Sequence, residues 1–248
     1  MPTTSTLIAN RILEAVLARK LQPGMRLGEQ PLALLFDCSR TLVREALVKL
    51  STRGIVTVSA RRGWYVVEPS PEEARQAFDA RQIIERGLIR QSDRLGTATI
   101  GTLKKHLAQE RAALAGEDVG ARSYLLGDFH VCLAECLGNP LLADTLRDLT
   151  ARTTLVAMRY QSRHDAAQSC EDHVHIVAAL EAGDMARAET LMAAHIGTIR
   201  DTLHQPSDHD PLAQLRQALQ PMPAPASPPS PPSSSQRNDD STYLGALI

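Results

Sequence analysis

Only one stretch of this chain alternates in the manner of a strand. Residues 55–67, IVTVSARRGWYVV, place apolar and polar side chains in turn on either side of SARRG, the pattern of a hairpin with one buried face. The other patterned segments repeat at helical spacing. The fold class this predicts is mainly α, with a single small sheet.

Ahead of the hairpin, Leu7, Ile8, Ile12, Val16 and Leu17 recur at helical spacing until Pro23-Gly24, which cannot continue a helix. A second helix of about residues 29–36 carries Leu32, Leu34, Leu35 and Phe36. Asp37-Cys38 make a tight turn, and Ser39 then caps a third helix, RTLVREALVKLSTR, by accepting a backbone N–H bond. Gly54 supplies the left-handed residue that closes it. Three helices and a hairpin predict a winged helix-turn-helix over residues 6–68.

The third helix has more charge at its entrance than packing requires. Val43, Ala46, Leu47 and Leu50 share the face that meets the first two helices, while Thr41 and Arg44 lie on another flank. Arg40 projects from the N-terminal end, where backbone N–H groups and the helix dipole favour phosphate. A recognition helix reads base edges with side chains from its first turns, and arginine to guanine is the commonest specific contact. Ser39, Arg40, Thr41 and Arg44, with Arg62 and Gly63 at the hairpin tip, form the predicted contact set for duplex DNA. Charge agrees: residues 1–68 hold 10 Lys/Arg against 5 Asp/Glu, and the rest of the chain 17 against 23. Aromatics, at 3%, are too scarce for a binder that stacks single-stranded bases.

Glu68-Pro69-Ser70-Pro71 interrupts regular structure and marks a boundary. From 71 to 204 the periodicity predicts an all-helical bundle of about six segments, broken at Gly96, Gly116, Asn139-Pro140, the polar 162–169 stretch and Gly183-Asp184. Residues 206–248, with PMPAPASPPSPPSSSQRNDDS, bury too little to offset their ordering entropy and are expected to be disordered, with one helical turn near 211–219. No apolar run is long enough to span a membrane, and MPTTSTLIANR lacks the features of a secretory signal. Cys38, Cys132, Cys136 and Cys170 form no CxxC pair, so reduced thiols and a cytoplasmic setting are expected.

Three histidines can be placed by arithmetic. Helices over 167–182 and 184–203 joined at Gly183-Asp184 form an antiparallel pair. His173 lies ten residues before that joint and His195 eleven beyond it. At about 1.5 Å per residue both stand roughly 15 Å from the turn, side by side. His130 stands about ten residues before the Asn139-Pro140 break. Imidazoles at one level of a bundle are either buried core residues or ligands for zinc, nickel or a similar divalent ion. His175, two residues from His173, falls on the other side of its helix.

The run from Leu21 to Val66 resembles the winged helix of the GntR superfamily of bacterial transcription regulators. The resemblance is carried by Pro23-Gly24, Leu32-Ala33, Ser39-Arg40-Thr41, Val43 to Leu47, Gly54 and Arg62-Gly63. It implies that Arg40, Thr41 and Arg44 read DNA and that the wing at Arg62-Gly63 reaches the adjacent minor groove. Gln30 stands where some relatives carry a contacting arginine. Residues 72–200 resemble the FCD ligand-binding domain of the FadR branch, through Phe129-His130, Gly138 to Leu142, Asp172-His173 and His195-Ile196. That resemblance implies a metal on His130, His173 and His195, and a small carboxylate effector that Arg81 is available to bind. Arg81 also has Glu85 at i+4 as an ion-pair partner. One departure is clear: the family's aspartate, four residues before the first histidine, is Leu126 here, and Asp128 lies about 200° around the helix.

The expected function is that of a dimeric, effector-responsive DNA-binding regulator, a repressor rather than an activator, and not an enzyme. The alternatives are a regulator for which the metal ion itself is the signal, and a metal-dependent hydrolase.

Overall fold

The computed structural model describes residues 4–59, 63–159 and 166–201. Among them run nine α-helices and three short strands. The head consists of α1 (Thr4–Leu17), β1 (Arg26–Leu27), α2 (Glu29–Leu35), α3 (Arg40–Thr52), β2 (Val56–Ser59) and β3 (Gly63–Val66). Ser39 caps α3, its hydroxyl accepting from Leu42 N at 3.3 Å. Asp37 in the preceding turn is left-handed, at φ 46°, a conformation Asp tolerates better than most residues.

The predicted hairpin forms with Val58 opposite Trp64 and Thr57 opposite Tyr65. A third strand adds to it: Arg26 and Leu27 pair with Tyr65 and Trp64, giving the order β1-β3-β2. Two residues are too few to show alternation, so β1 left no periodic signal.

The head core gathers Ile8, Ile12, Leu13 and Val16 of α1 with Val43, Leu47 and Leu50 of α3. It also takes in Ala151 and Leu155, which belong to the helical body.

That body comprises α4 (Pro71–Arg90), α5 (Thr97–Ala115), α6 (Val119–Cys136), α7 (Pro140–Arg159), α8 (Ala166–Ala182) and α9 (Met185–Asp201). α4 opens with a capping box: Glu73 N donates to Ser70 Oγ, and Ser70 N donates to Glu73 Oε2. Pro71 follows at the first helical position, where its missing N–H costs nothing. α4 packs on α7 and α9, α5 on α6 and α8, and α8 on α9. Phe78, Phe129, Leu103, Ile176 and Met192 fill the space between them.

The joint between head and body is broader than the boundary at 68–71. Ser123 Oγ of α6 donates to Leu17 O at 3.1 Å. Arg53 Nε, at the end of α3, donates to Asp148 Oδ1 of α7 at 2.7 Å. Gly54 is left-handed (φ 69°), which favours glycine, and a Cβ there would push aside the Arg152 guanidinium. All four cysteines are free thiols, Cys170 buried and the others half-buried. Among the described residues no helix is long and apolar enough to cross a membrane. Residues 206–248, including the helical turn expected at 211–219, lie outside the described residues.

Candidate metal centre and nucleic-acid interface

On the head, Arg40 and Arg44 are both exposed and both reach Glu29, the first residue of α2. Arg44 binds it through two nitrogens, Nε at 2.9 Å and Nη2 at 2.8 Å, and Arg40 Nη2 lies at 3.4 Å. Trp64 Nε1 of the wing donates to the same carboxylate at 3.2 Å. The Arg44 hydrogen bond is the main reason the Glu29 carboxyl is held down at about 2; its partial burial opposes, and Trp64 and Arg40 assist. A permanently ionised carboxylate therefore fixes the guanidiniums on one side of α3. Thr41 is exposed beside them, Gln30 is exposed on α2, and Gly63 opens β3 at φ 90° with nothing within 4 Å of where a Cβ would stand. Ser39 spends its hydroxyl on the cap. Arg62 lies outside the described residues. Glu29 was not foreseen; an acid at the start of α2, one turn from the basic helix, is a weak signal.

In the body, the antiparallel α8–α9 pair and α6 bring three buried histidines together. One ring nitrogen from each of His130, His173 and His195 lies within 4.8 Å of the others. Their Nδ1 atoms all face carboxylates. His130 Nδ1 is 2.6 Å from Glu85 Oε2, His173 Nδ1 is 3.0 Å from Glu110 Oε2, and His195 Nδ1 is 3.0 Å from Asp172 Oδ2. An ionised carboxylate only accepts, so each Nδ1 carries the proton and each Nε2 presents a lone pair. His173 Nε2 and His195 Nε2 stand 3.2 Å apart, an arrangement that a shared cation relieves. Phe129 stacks on the His173 ring at 3.8 Å and holds its plane.

Burial keeps His130 and His195 neutral. It pushes His130 down to about 3 against the pull of Glu85, and His195 down to about 4 against that of Asp172. Burial would raise Glu85, but its contacts with His130 and Arg81 outweigh it and hold that carboxyl at about 2. Neutral imidazoles oriented by carboxylates suit a borderline divalent ion. The donor set present is thus a buried three-histidine cluster that could bind a metal.

Glu110 and its neighbour His106 were missed in the sequence, although His106 and Glu110 interrupt the apolar stripe of Ile100, Leu103 and Leu107 on α5. His175 is exposed and pairs with Glu171.

Beside the histidines is a cavity of about 210 Å³ lined by His130, Arg81, Thr150 and Leu126 among others. Arg81 is buried, donating from Nε to Glu85 Oε1 at 2.9 Å and from Nη1 to Thr153 Oγ1 at 3.0 Å. Its Nη2 has no partner, and neither does the buried Thr150 Oγ1. Leu126 lines this cavity, whereas Asp128 lines a different one, between α1 and α7.

Residues 4–66 match the family of bacterial regulatory proteins called gntR, and residues 76–198 match the FCD domain. The chain is a GntR-family transcriptional regulator with an FCD domain. Its family and relatives are regulators rather than enzymes, and the GntR helix-turn-helix implies DNA binding. This GntR regulator is 29% identical over 189 residues to the HTH-type transcriptional repressor RspR of Escherichia coli K12, covering 75% of this chain and 82% of that one. It is 26% identical over 207 residues to the HTH-type transcriptional regulator LutR of Bacillus subtilis 168, covering 74% and 94%. Among solved structures it is similar to E. coli McbR/YncC, with a TM-score of 0.73 at 20% identity over 82% of this chain and 98% of that one. A GntR protein from Rhodococcus sp. RHA1 gives 0.71 at 22% identity, over 80% and 96%. At such identities the likeness establishes the fold alone.

Proposed function

We propose that this GntR regulator is a homodimeric repressor whose operator affinity is set by a small carboxylate bound in the FCD cavity beside a divalent metal. The observation that carries the reading is the alignment of three carboxylate-oriented histidines with a cavity in which Arg81 Nη2 and Thr150 Oγ1 lack partners. His130, His173 and His195 would hold the ion, zinc or nickel by donor type. When bound, it would supply a fixed positive charge at the cavity wall. Arg81, already positioned by Glu85 and Thr153, offers its free N–H to a carboxylate oxygen. Leu126 leaves the ion with three protein ligands and leaves apolar space for the effector's carbon skeleton.

On the head, Ser39 sets the start of α3, Arg40, Thr41 and Arg44 contact the major groove, and Arg62 and Gly63 contact the adjacent groove. The name of the relative RspR supports repression. Two heads on a two-fold dimer would read a palindromic operator.

The test is a reporter fused to the chain's own promoter region, combined with elemental analysis of the purified protein. One metal ion per chain, and repression relieved by a small organic acid in the wild type but not in Arg81→Gln, is the expected result. Protein that binds neither zinc nor nickel, or a reporter indifferent to the chain, overturns the reading. Repression that follows metal concentration and ignores organic acids selects the ion as the signal instead.

A further inference from the structure

We propose that the effector is a dicarboxylate, one carboxylate bound by Arg81 and Thr150 in the body and the other by Arg19 and Arg122, so that it joins the DNA-binding head to the FCD domain. This rests on the effector reading above and adds a second charge and a second attachment point to it.

The cavity's charge is lopsided. Among the described residues Arg19, Arg81 and Arg122 all line it, and no Asp or Glu does. Arg81 is compensated by Glu85. Among the described residues neither Arg19 nor Arg122 has a hydrogen-bonded or ion-paired carboxylate. A monocarboxylate placed on Arg81 Nη2 and Thr150 Oγ1 would satisfy those two atoms and leave both outer guanidiniums uncompensated. A second carboxylate would answer them with charge-assisted hydrogen bonds.

Size points the same way. At about 30 Å³ per water, the cavity of about 210 Å³ holds the equivalent of roughly seven waters. A four- to six-carbon diacid fits that space.

Arg19 ties this chemistry to the head. It follows α1 in a left-handed conformation, φ 55°, a place that usually falls to glycine or asparagine. The segment around it is pressed onto the first turns of α6. Ser123 donates to Leu17 O, and a Cβ on Gly120 would stand 3.2 Å from Ala18 O and 2.8 Å from Lys20 Cε. The arginine therefore enters the cavity from the DNA-binding domain, while Arg122 of α6, Arg81 of α4 and Thr150 of α7 enter from the body. A diacid spanning these groups is a strut across the joint.

The experiment is calorimetric titration of the full-length, zinc-loaded protein with matched pairs: butyrate and succinate, valerate and glutarate, hexanoate and adipate. The best diacid should bind roughly tenfold or more tightly than its monoacid partner. Arg19→Gln should collapse that ratio to about threefold or less and Arg19→Lys should restore most of it; Arg122→Gln should lower it independently, from the body side. Hydrogen exchange at residues 17–21 should slow with the diacid and not with its partner. Equal affinities within every pair, or a ratio untouched by both Arg19→Gln and Arg122→Gln, overturns this inference and leaves the effector reading standing. A protein that binds none of the six acids overturns both.

Discussion

Arg152 of α7 donates two hydrogen bonds, from Nε at 3.0 Å and Nη2 at 2.6 Å, to the backbone carbonyl of Arg53, the residue that closes α3. The end of the recognition helix is thereby held by a helix of the body. That helix also lines the cavity beside the histidines, through Thr150, Thr153 and Thr154. A shift of α7 on effector binding would reach α3 without passing through the 68–71 segment.

Gly54 marks this contact. Gly54→Ala should cost about 1–3 kcal/mol in urea unfolding, because the residue is left-handed and the added methyl meets the Arg152 guanidinium. Arg152→Ala in the same chain should recover part of that loss by removing the collision. Strictly additive losses would show that Arg152 does not occupy this space in solution.

Glu29 holds Arg40 and Arg44, the two arginines proposed to contact DNA. Glu29→Gln should raise affinity for unrelated duplex DNA several-fold, and steepen the fall of log K with log salt by about 1, as the freed guanidiniums find phosphate. Arg44→Ala should weaken operator binding and flatten the same slope. Anisotropy titrations over a salt series measure both. An unchanged slope in Glu29→Gln would mean that this clasp is irrelevant to DNA.

The carboxylates behind the histidines should matter to metal binding almost as much as the ligands do. His173→Ala should abolish tight zinc binding, and Glu110→Gln should weaken it about 10- to 100-fold. Leu126→Asp, which adds a carboxylate on the His130 side of the cavity, should tighten zinc binding. Competition with a chromophoric chelator reads all three. Wild-type affinity in Glu110→Gln would contradict the orienting role.

His106 gives a pH signature. Burial pulls its pKa down, but hydrogen bonds to Glu110 and the Leu125 carbonyl outweigh that and leave it above the ordinary value of 6.5. The folded state then holds the proton more tightly than the unfolded one. Its stabilisation is complete below about 6.5 and is lost as pH rises through the folded value. In chelator-treated protein, the wild-type Tm should therefore fall faster as pH rises above about 6.5 than that of His106→Asn. Parallel curves would contradict this.

Much of the architecture was legible because each element carried its own punctuation. Ser39, Gly54, the Glu68-to-Pro71 break and Gly183-Asp184 bound their helices locally, so reading them needed no knowledge of the neighbours. The level of His173 and His195 followed from helix rise alone. Illegible features depended on what lies across a gap in sequence. β1 exists because Tyr65 and Trp64 pair with it. Glu110 matters because α5 packs on α8 and brings it to His173, 63 residues away. Arg19, exposed at the end of α1, gains a role only because α6 packs there and brings it to the rim of the cavity. Leu126, in contrast, was already visible as a missing ligand, and it lines the cavity with His130.

The most direct test of the account is operator affinity of the zinc-loaded full-length protein, measured by anisotropy on a duplex selected from a random pool, with and without a saturating organic acid. The account predicts at least a tenfold change in operator Kd for the wild type, lost in Arg81→Gln, a coupling of about 1.4 kcal/mol between the two sites. An acid that calorimetry shows bound in the cavity, with operator Kd unmoved, would contradict it.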